Sequence, residues 1–237
     1  MKPVIYREIP PIAPALLERA KGFAVADLHE GLGAVAGRAG LMAPAMRPIF
    51  PGAKLCGQAV TCYNYPGDNL MLHAAIKLAQ QGQIIVATNG GSAQGALWGE
   101  MVTVFCRLKG IGGAVVDGAA RDIGPIRALG FPVFSTAISA SHPEKRGPGS
   151  ANGPGVMAGR PGNPGDLILG DDDGVLVVPP RYLEAAMNAA QARVDKETQF
   201  REKLAAGKTM FELLNLQPLM DAAGIEERPG TWLDGEK

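Results

Sequence analysis

This chain has few aromatic residues and no excess of charge of either sign. Phe, Trp and Tyr make up 5% of its 237 residues, so aliphatic side chains and methionines must fill most of the core. Its 23 basic residues equal its 23 acidic residues in number. Proteins that bind nucleic acid usually carry a basic patch or stripe. The sequence shows none, so we expect no nucleic-acid partner.

Signals for membranes and export are also missing. No apolar run reaches the ~20 residues that a membrane-spanning helix needs. The first residues, 1–7, lack the apolar core of a signal peptide. The three cysteines, Cys56, Cys62 and Cys106, lack metal-binding spacing and are expected to be reduced and packed. The sequence therefore predicts a cytoplasmic protein with no membrane partner.

Several catalytic signatures are absent as well. There is no Gly-x-Ser-x-Gly nucleophile motif and no Walker loop. The glycines at 110–113 precede an expected strand instead of following one, which argues against dinucleotide binding. The histidines are dispersed and form no zinc-type cluster with the cysteines. We expect the histidines to be packed or at the surface, although His73 could face a site.

Apolar strands and amphipathic helices alternate along most of the chain, which predicts an α/β fold built from parallel strand–helix–strand units. The expected strands cover residues 54–63, 84–87, 113–117 and 131–137. The expected helices cover residues 13–33 in two pieces, 70–80, 97–109, 123–129 and 182–206. Residues 166–179 are expected to form a hairpin whose acidic turn lacks the further ligands of a calcium loop. Residues 139–164, rich in Gly, Pro, Ser and Asn, are expected to be an irregular loop, functional or partly disordered.

The most informative stretch is residues 112–122. A short apolar run bounded by glycines is typical of a buried parallel strand, and Gly118 predicts a turn after it. Arg121 and Asp122 then lie at the carboxyl end of the strand, where open α/β sheets place ligand sites. An adjacent cation and carboxylate can hold an anionic substrate and a divalent metal. The alternative is that Asp122 only caps a helix and Arg121 is solvated.

A second candidate loop, residues 95–102, follows the strand that ends near Ala87. The unpaired N–H groups at the start of a helix face any anion placed there, and Glu100 adds a carboxylate. If this strand neighbours the one that ends near Asp117, both loops face one pocket. One or two carboxylates with several waters suit Mg²⁺ or Mn²⁺.

Four motifs occur in the same order as in a known family: Gly-Asp-Asn-x-Met-x-His at 67–73, Gly-x-x-x-Gly-Glu at 95–100, Val-Asp-Gly-x-x-Arg-Asp at 116–122 and Gly-Asp-Asp-Asp-Gly-Val at 170–175. From about residue 26 to 207 the chain resembles the 4-hydroxy-4-methyl-2-oxoglutarate / 4-carboxy-4-hydroxy-2-oxoadipate aldolases. These enzymes belong with the RraA-like proteins, named after the regulator of ribonuclease E activity A. The resemblance implies a layered α/β sandwich of the swivelling β/β/α type with a C-terminal helix. It also implies a single domain over residues 1–237, an arm from about 208 to 237, and homo-oligomers that are trimers or hexamers.

The resemblance implies roles for individual residues. Asp122 matches the carboxylate that binds the divalent metal, and Arg121 matches the arginine at the keto-acid end of the substrate. The loop whose backbone amides bind the pyruvate carboxylate matches Gly99, Glu100, Met101 and Val102. Glu100 replaces an aspartate that reaches the metal through water, so its side chain is one methylene longer. Glu30 and Glu197 match acids that the neighbouring subunit contributes.

These roles imply a metal-dependent class II aldolase in which Arg121 and Glu100 are catalytic. The enzyme would cleave 4-hydroxy-4-methyl-2-oxoglutarate or 4-carboxy-4-hydroxy-2-oxoadipate to pyruvate and a second keto acid, pyruvate or oxaloacetate. Oxaloacetate decarboxylation is an expected side activity, and residues 139–164 are expected to select the substrate. Two alternatives stay open: a non-catalytic RraA-like regulator that binds a ribonuclease or helicase, and a lyase acting on another 2-oxo acid.

Overall fold

A computed structural model of the protein describes residues 3–235. Its strands are β1 (Val4–Ile5), β2 (Arg47–Pro48), β3 (Leu55–Tyr63), β4 (Ile84–Thr88), β5 (Gly113–Ala120), β6 (Val133–Ile138), β7 (Ser150–Ala151), β8 (Gly155–Met157), β9 (Arg160–Gly162), β10 (Leu167–Asp171) and β11 (Gly174–Val178). Its helices are α1 (Pro14–Ala20), α2 (Val25–Gly31), α3 (Gly33–Gly40), α4 (Leu70–Leu78), α5 (Glu100–Leu108), α6 (Ile123–Leu129), α7 (Pro180–Ala205), α8 (Met210–Leu213) and α9 (Gln217–Ala222). A 3₁₀ helix covers Trp232–Gly235.

Four strands lie side by side in chain order at the centre of the sheet. β3, β4, β5 and β6 are parallel neighbours. Parallel neighbours need a crossover connection, and α4, α5 and α6 supply the three crossovers. β10 pairs antiparallel with the first part of β3 and with β11. The alternation of strands and helices expected from the sequence is therefore confirmed.

Apolar side chains fill the spaces between four layers. α4, α5 and α6 cover one face of the central strands, where Leu72 and Ile126 are fully buried. The hairpin of β10 and β11 covers the other face through Ile168 and Val177. The far side of that hairpin packs against α2 and the first turns of α7, including Leu183. This order of helices, sheet, hairpin and helices confirms the expected α/β sandwich.

Two local expectations are wrong. Gly118 does not turn the chain, because β5 continues to Ala120 and shifts register against β6 between Val116 and Ala119. The extra residue makes a β-bulge, which bends the strand near its carboxyl end. Residues 139–164 are not structureless either, since they contain β7 and the antiparallel pair β8 and β9.

Residue contacts divide the chain into two units, one ending at Gln191 and the other beginning at Ala192. The second unit contains the end of α7, then α8, α9 and the 3₁₀ helix, and none of residues 192–234 is buried. This division falls earlier than the expected arm at about residue 208, and the single-domain assignment stays a prediction. No helix within residues 3–235 is long and apolar enough to cross a membrane.

Candidate functional site

Arg121 and Asp122 directly follow β5, and Asp122 is the residue before α6. The backbone of Asp122 lies in the left-handed region, at φ 58° and ψ 40°, which residues other than Gly, Asn and Asp seldom adopt. Its side chain makes no capping bond to α6. Instead, its Oδ2 accepts a hydrogen bond of 3.1 Å from the backbone N–H of Glu100. The helix-cap alternative therefore does not explain this carboxylate, which is bound to the neighbouring loop.

The loop before α5 contacts the end of β5 through one isolated parallel β-bridge, between Trp98 and Ala120. The N–H of Leu97 donates to the carbonyl of Ala119, and the N–H of Arg121 donates to the carbonyl of Trp98. Trp98 is fully buried, its indole Nε1–H donates to Thr103 Oγ1 at 2.7 Å, and its ring stacks on Phe131. Since a tryptophan held by packing and a hydrogen bond is fixed in position, the loop is a rigid support for Gly99.

Gly99 brings the two loops into contact. A Cβ atom at this position would lie 2.9 Å from Asp122 Oδ2 and 3.2 Å from Arg121 Nε. The glycine therefore lets the Arg121–Asp122 pair approach the start of α5 more closely than any side chain would allow. Arg121 Nε lies 3.6 Å from Asp122 Oδ2, and both side chains are partly exposed. The result is a fixed cation and a fixed carboxylate beside a helix N-terminus.

The structure brings the expected substrate loop and the Arg-Asp pair to one small cavity. β4 and β5 are parallel neighbours, as the expected common pocket requires. The cavity has a volume of about 60 Å³ and is lined by Asn69, Ala96, Leu97, Trp98, Gly99, Glu100, Met101, Val102, Arg121, Asp122 and Pro143. Ligand pockets usually enclose about 300–1,000 Å³. The groups lining the cavity suit an anion and a cation, but a single chain encloses little space for a substrate.

The loop that begins at Ser139 forms one wall of this cavity. Ser141 accepts hydrogen bonds from the N–H groups of Gly95 and Ala96 through its Oγ and its carbonyl. Pro143 lines the cavity directly. The N–H of Asn69 donates to the carbonyl of Glu144 at 3.0 Å. Contacts on both sides of Pro143 therefore hold the loop against the site.

Asp68 anchors the same loop through hydrogen bonds to its backbone. It is buried, and its Oδ2 accepts hydrogen bonds from the N–H groups of Arg146 and Gly147, while Oδ1 accepts one from Leu70 at 2.8 Å. Burial alone would raise the pKa of this carboxyl, but the three backbone donors and nearby Lys145 outweigh it and hold the pKa below its usual value. The ionised form of Asp68 thus ties the start of α4 to the loop.

Other expected site residues lie outside this cavity. Glu30 is on α2, and Glu197 is on α7, where it pairs with Arg193 and Arg201. Neither lines the cavity, and their contribution from a neighbouring subunit stays a prediction. His73 lines an adjacent apolar groove between α4 and α5. The pKa of its imidazole is lowered, mainly by burial and to a smaller extent by the positive charge of Lys145.

The acidic turn at residues 171–173 is a structural feature. Asp171 accepts hydrogen bonds from the N–H groups of Val25 and Asp173, and Asp172 accepts one from Gly52. Within residues 3–235 no three His, Cys, Asp or Glu side chains group as a metal cage. Asp122 supplies one carboxylate to the cavity, and Glu100, whose backbone N–H binds Asp122, is a second acidic residue that lines it. This donor set fits Mg²⁺ or Mn²⁺, which bind through one or two carboxylates and keep several waters.

Sequence reasoning missed four residues that build the site: Asp68, Asn69, Trp98 and Ser141. Asp68 and Asn69 lie in the motif at residues 67–73, but the resemblance assigned neither of them a role in the site. Trp98 lies inside the candidate loop at residues 95–102, directly before Gly99, and a tryptophan in a glycine-containing loop is a signal of a packed anchor. Ser141 has no comparable signal, because its role depends on where the long loop folds back.

The fold and this site define an α/β protein with a polar, anion-compatible cavity at the carboxyl edge of a parallel sheet. Residues 25–177 match the RraA-like family described as Aldolase/RraA. The chain therefore belongs to the RraA-like family, which confirms the resemblance found in its motifs. It is 34% identical over 165 residues to a protein of Halalkalibacterium halodurans provisionally named a 4-hydroxy-4-methyl-2-oxoglutarate aldolase, with 70% of this chain and 78% of that protein covered.

Solved structures similar to this chain include the following two. One is an uncharacterized protein from Pseudomonas syringae pv. tomato, with a TM-score of 0.77, 28% identity, and coverage of 86% of this chain and 98% of that one. The other is RraAS2 of Streptomyces coelicolor, described as an unusual member of the RNase ES inhibitor RraA protein family. Its TM-score is 0.75 at 26% identity, with 82% of this chain and 99% of that one covered.

Proposed function

We propose that this protein is a divalent-metal-dependent aldolase acting on branched 2-oxo acids. Its substrate would be 4-hydroxy-4-methyl-2-oxoglutarate or 4-carboxy-4-hydroxy-2-oxoadipate, cleaved to pyruvate and a second keto acid, with oxaloacetate decarboxylation as a side activity. The observation that supports this most is the meeting of the α5 N-terminus, Arg121 and Asp122 at one cavity. The relatives provisionally named as aldolases add independent support.

Backbone donors at the start of α5 would bind the substrate carboxylate. The N–H of Glu100 is occupied by Asp122 and that of Thr103 by the carbonyl of Gly99. Within residues 3–235 the N–H groups of Met101 and Val102 have no hydrogen-bond partner. Both belong to the first turn of a nine-residue helix, whose free N–H groups attract anions. They are available for the carboxylate of pyruvate.

Arg121 would stabilise the charge that develops during cleavage. When the C3–C4 bond breaks, its electron pair enters the pyruvate enolate, and the proton of the C4 hydroxyl goes to a base. A fixed cation aimed at developing negative charge is the strongest kind of electrostatic catalysis. Asp122, with Glu100 through water, would hold a divalent ion, which supplies Lewis-acid stabilisation of the same charge. A water held by the Glu100 carboxylate would take the hydroxyl proton.

A second copy of the chain would complete the site. The cavity of about 60 Å³ is small for the substrate. Beside it, α5 exposes three apolar side chains at helical spacing: Met101 at 72%, Phe105 at 55% and Leu108 at 82%. An apolar stripe of this kind marks a surface that packs against protein. We propose a trimer or hexamer in which Glu30 and Glu197 reach the site of a neighbouring subunit.

A pyruvate-release assay tests the proposed function. The purified protein should release pyruvate from 4-hydroxy-4-methyl-2-oxoglutarate and from oxaloacetate, lose both activities on chelation and regain them with Mg²⁺ or Mn²⁺. A panel of other 2-oxo acids should show lower kcat/KM values, and light scattering gives the oligomeric state. Full activity after chelation would rule out the metal-dependent reaction. Higher kcat/KM on another 2-oxo acid would favour a lyase of different specificity.

A regulatory role is the second candidate, and the similarity to RraAS2 favours it. The exposed apolar stripe on α5 would then dock a ribonuclease or helicase instead of a second copy. Such a regulator needs no metal and releases no pyruvate from any 2-oxo acid. The assay therefore separates the two functions, because pyruvate release that depends on Arg121 has no place in a docking module.

A further inference from the structure

Asn69 lines the candidate site and has no role assigned so far. It is the residue before α4, is 5% exposed, and lines the cavity together with Glu100, Arg121 and Asp122. Its N–H donates to the carbonyl of Glu144, and its carbonyl accepts the N–H of His73. The backbone of Asn69 is therefore held by the wall loop and by α4, which fixes its side chain beside the cavity.

The side-chain amide of Asn69 is only half satisfied. Its Nδ2 donates to the carbonyl of Leu97 at 3.5 Å, and because a carbonyl only accepts, this contact sets which end of the amide is the nitrogen. The Oδ1 atom is buried and has no hydrogen-bond partner among residues 3–235. Buried acceptors without partners are rare in folded proteins because they are costly. Asn64, at the same edge of the sheet, has its Oδ1 bonded to the N–H of Leu72 at 2.9 Å.

The chemistry of the site restricts what can satisfy this oxygen. Oδ1 needs a hydrogen-bond donor, whereas the carboxylates and the ketone of a 2-oxo acid are all acceptors. Arg121 and the free N–H groups of Met101 and Val102 are donors in this cavity, but the proposed function assigns them to the carboxylate and enolate oxygens of the substrate. The remaining donors are water and the C4 hydroxyl. During cleavage the hydroxyl must give its proton to the base, so it cannot keep a bond to Asn69. A water has two protons and can donate one to each of two acceptors while accepting a third hydrogen bond.

We infer that Asn69 is a positioning residue that, with the Glu100 carboxylate, orients the water that removes the C4 hydroxyl proton. This inference rests on the proposed function. The water donates one hydrogen to Asn69 Oδ1 and the other to Glu100, and its free lone pair accepts the hydrogen of the substrate hydroxyl. As the C3–C4 bond breaks, that proton moves to the water, and the water passes a proton to the Glu100 carboxylate. The bond's electron pair enters the enolate, which takes a proton at C3 from solvent water, while Glu100 returns its proton to solvent, so no other reactant is needed.

Oxaloacetate decarboxylation gives a matched comparison within the same site. It forms the same pyruvate enolate, but the electron pair comes from the bond to the departing carbon dioxide. No hydroxyl proton is removed. A residue that orients the base for the hydroxyl therefore affects aldol cleavage and leaves decarboxylation nearly unchanged.

The test compares Asn69→Ala and Asn69→Asp with the wild-type protein on both substrates. Asn69→Ala should lower kcat for cleavage by about tenfold or more, with little change in KM, because general-base catalysis depends on orientation. Its kcat for oxaloacetate decarboxylation should change by less than about threefold. Asn69→Asp keeps an acceptor oxygen and should retain a higher ratio of cleavage to decarboxylation than Asn69→Ala. Mn²⁺ affinity, measured by calorimetry, should be the same in all three proteins.

Asn64→Ala serves as the structural control. It also removes a buried asparagine at this edge of the sheet, but from outside the cavity lining, so it should lower thermal stability without changing the ratio of the two activities. Equal loss of both activities in Asn69→Ala, or no loss of either, would overturn the inference. A fall in Mn²⁺ affinity would make Asn69 a metal ligand instead. A wild-type protein that releases pyruvate from neither substrate would remove the proposed function and this inference with it.

Discussion

Gly99→Ala is the substitution that probes the geometry of the site most directly. A Cβ atom at this position would lie 2.9 Å from Asp122 Oδ2, whereas ordinary contacts begin at 3.4 Å. The carboxylate must therefore retreat by about 0.5 Å, and Arg121, whose Nε would lie at 3.2 Å, must move with it. The backbone itself is no obstacle, because φ of −160° and ψ of −176° are accessible to alanine.

The displacement should reduce activity far more than stability. A misplacement of about 1 Å can cost roughly a hundredfold in rate, so a shift of half that size is expected to lower kcat/KM by about tenfold or more. The free energy of unfolding should change by less than about 1 kcal/mol, because alanine restricts the unfolded chain and offsets part of the strained contact. The measurements are pyruvate release at saturating Mg²⁺ and thermal unfolding of the same preparations.

Gly124→Ala is the matched control. A Cβ atom at Gly124, in α6, meets no atom within 4 Å, so this variant should keep wild-type activity. Its stability should change by less than about 1 kcal/mol, because helix propensity favours alanine whereas the following Pro125 disfavours a helical residue with a Cβ atom. If Gly99→Ala folds and turns over like the wild-type protein, the close approach of α5 to Arg121 and Asp122 has no part in function. The proposed arrangement of the site would then be wrong.

Two further predictions concern Arg121 and Asp68. Arg121→Ala should lower turnover by about a hundredfold with an unchanged melting temperature, since its partly exposed ion pair adds little stability; wild-type turnover would exclude it from the mechanism. Asp68→Asn should lower the free energy of unfolding at neutral pH by about 2 kcal/mol, because an ionised acceptor bound to backbone donors is lost. Since the pKa of Asp68 is held below its usual value, this difference should be fully present above about pH 4, decline below the ordinary aspartate value of ~3.9, and vanish once the pH falls below the lowered pKa of folded Asp68. Urea unfolding at neutral and acid pH measures it, and a difference that persists undiminished in acid would contradict the anchoring role.

The sequence predicted those parts of the fold that depend on local pattern. The helix at residues 123–129 and the hairpin of β10 and β11 lie where periodicity and turn residues indicated. The bulge at Gly118 was not predictable, because it depends on how β5 pairs with β6. Val116 and Ala119 are three residues apart in β5, whereas their partners Ser135 and Ala137 are only two residues apart in β6. A glycine in an apolar run is consistent with either a turn or a bulge, and only the neighbouring strand decides between them.

The residues of the candidate site also divide into those that the sequence predicted and those that it did not. Arg121, Asp122 and the start of α5 were predictable, because parallel neighbours bring their carboxyl ends to one edge of the sheet. The wall contributed by Ser141 and Pro143 was not. The composition of residues 139–164 is typical of disordered segments, and the order comes from backbone groups of this loop that bond to distant partners such as Asp68. Composition carries no record of such long-range backbone bonds.

The polar groups at the cavity favour chemistry over docking. Asp122 adopts a left-handed backbone, which aspartate tolerates better than most residues, and its carboxylate binds the N–H of Glu100 beside Arg121. Asn69 buries an acceptor that has no partner among residues 3–235, and a buried acceptor without a partner is costly. A docking module would use the outward stripe of Met101, Phe105 and Leu108, which requires neither this carboxylate nor the buried amide. Because both groups line one cavity with Arg121, they favour a reaction at this site.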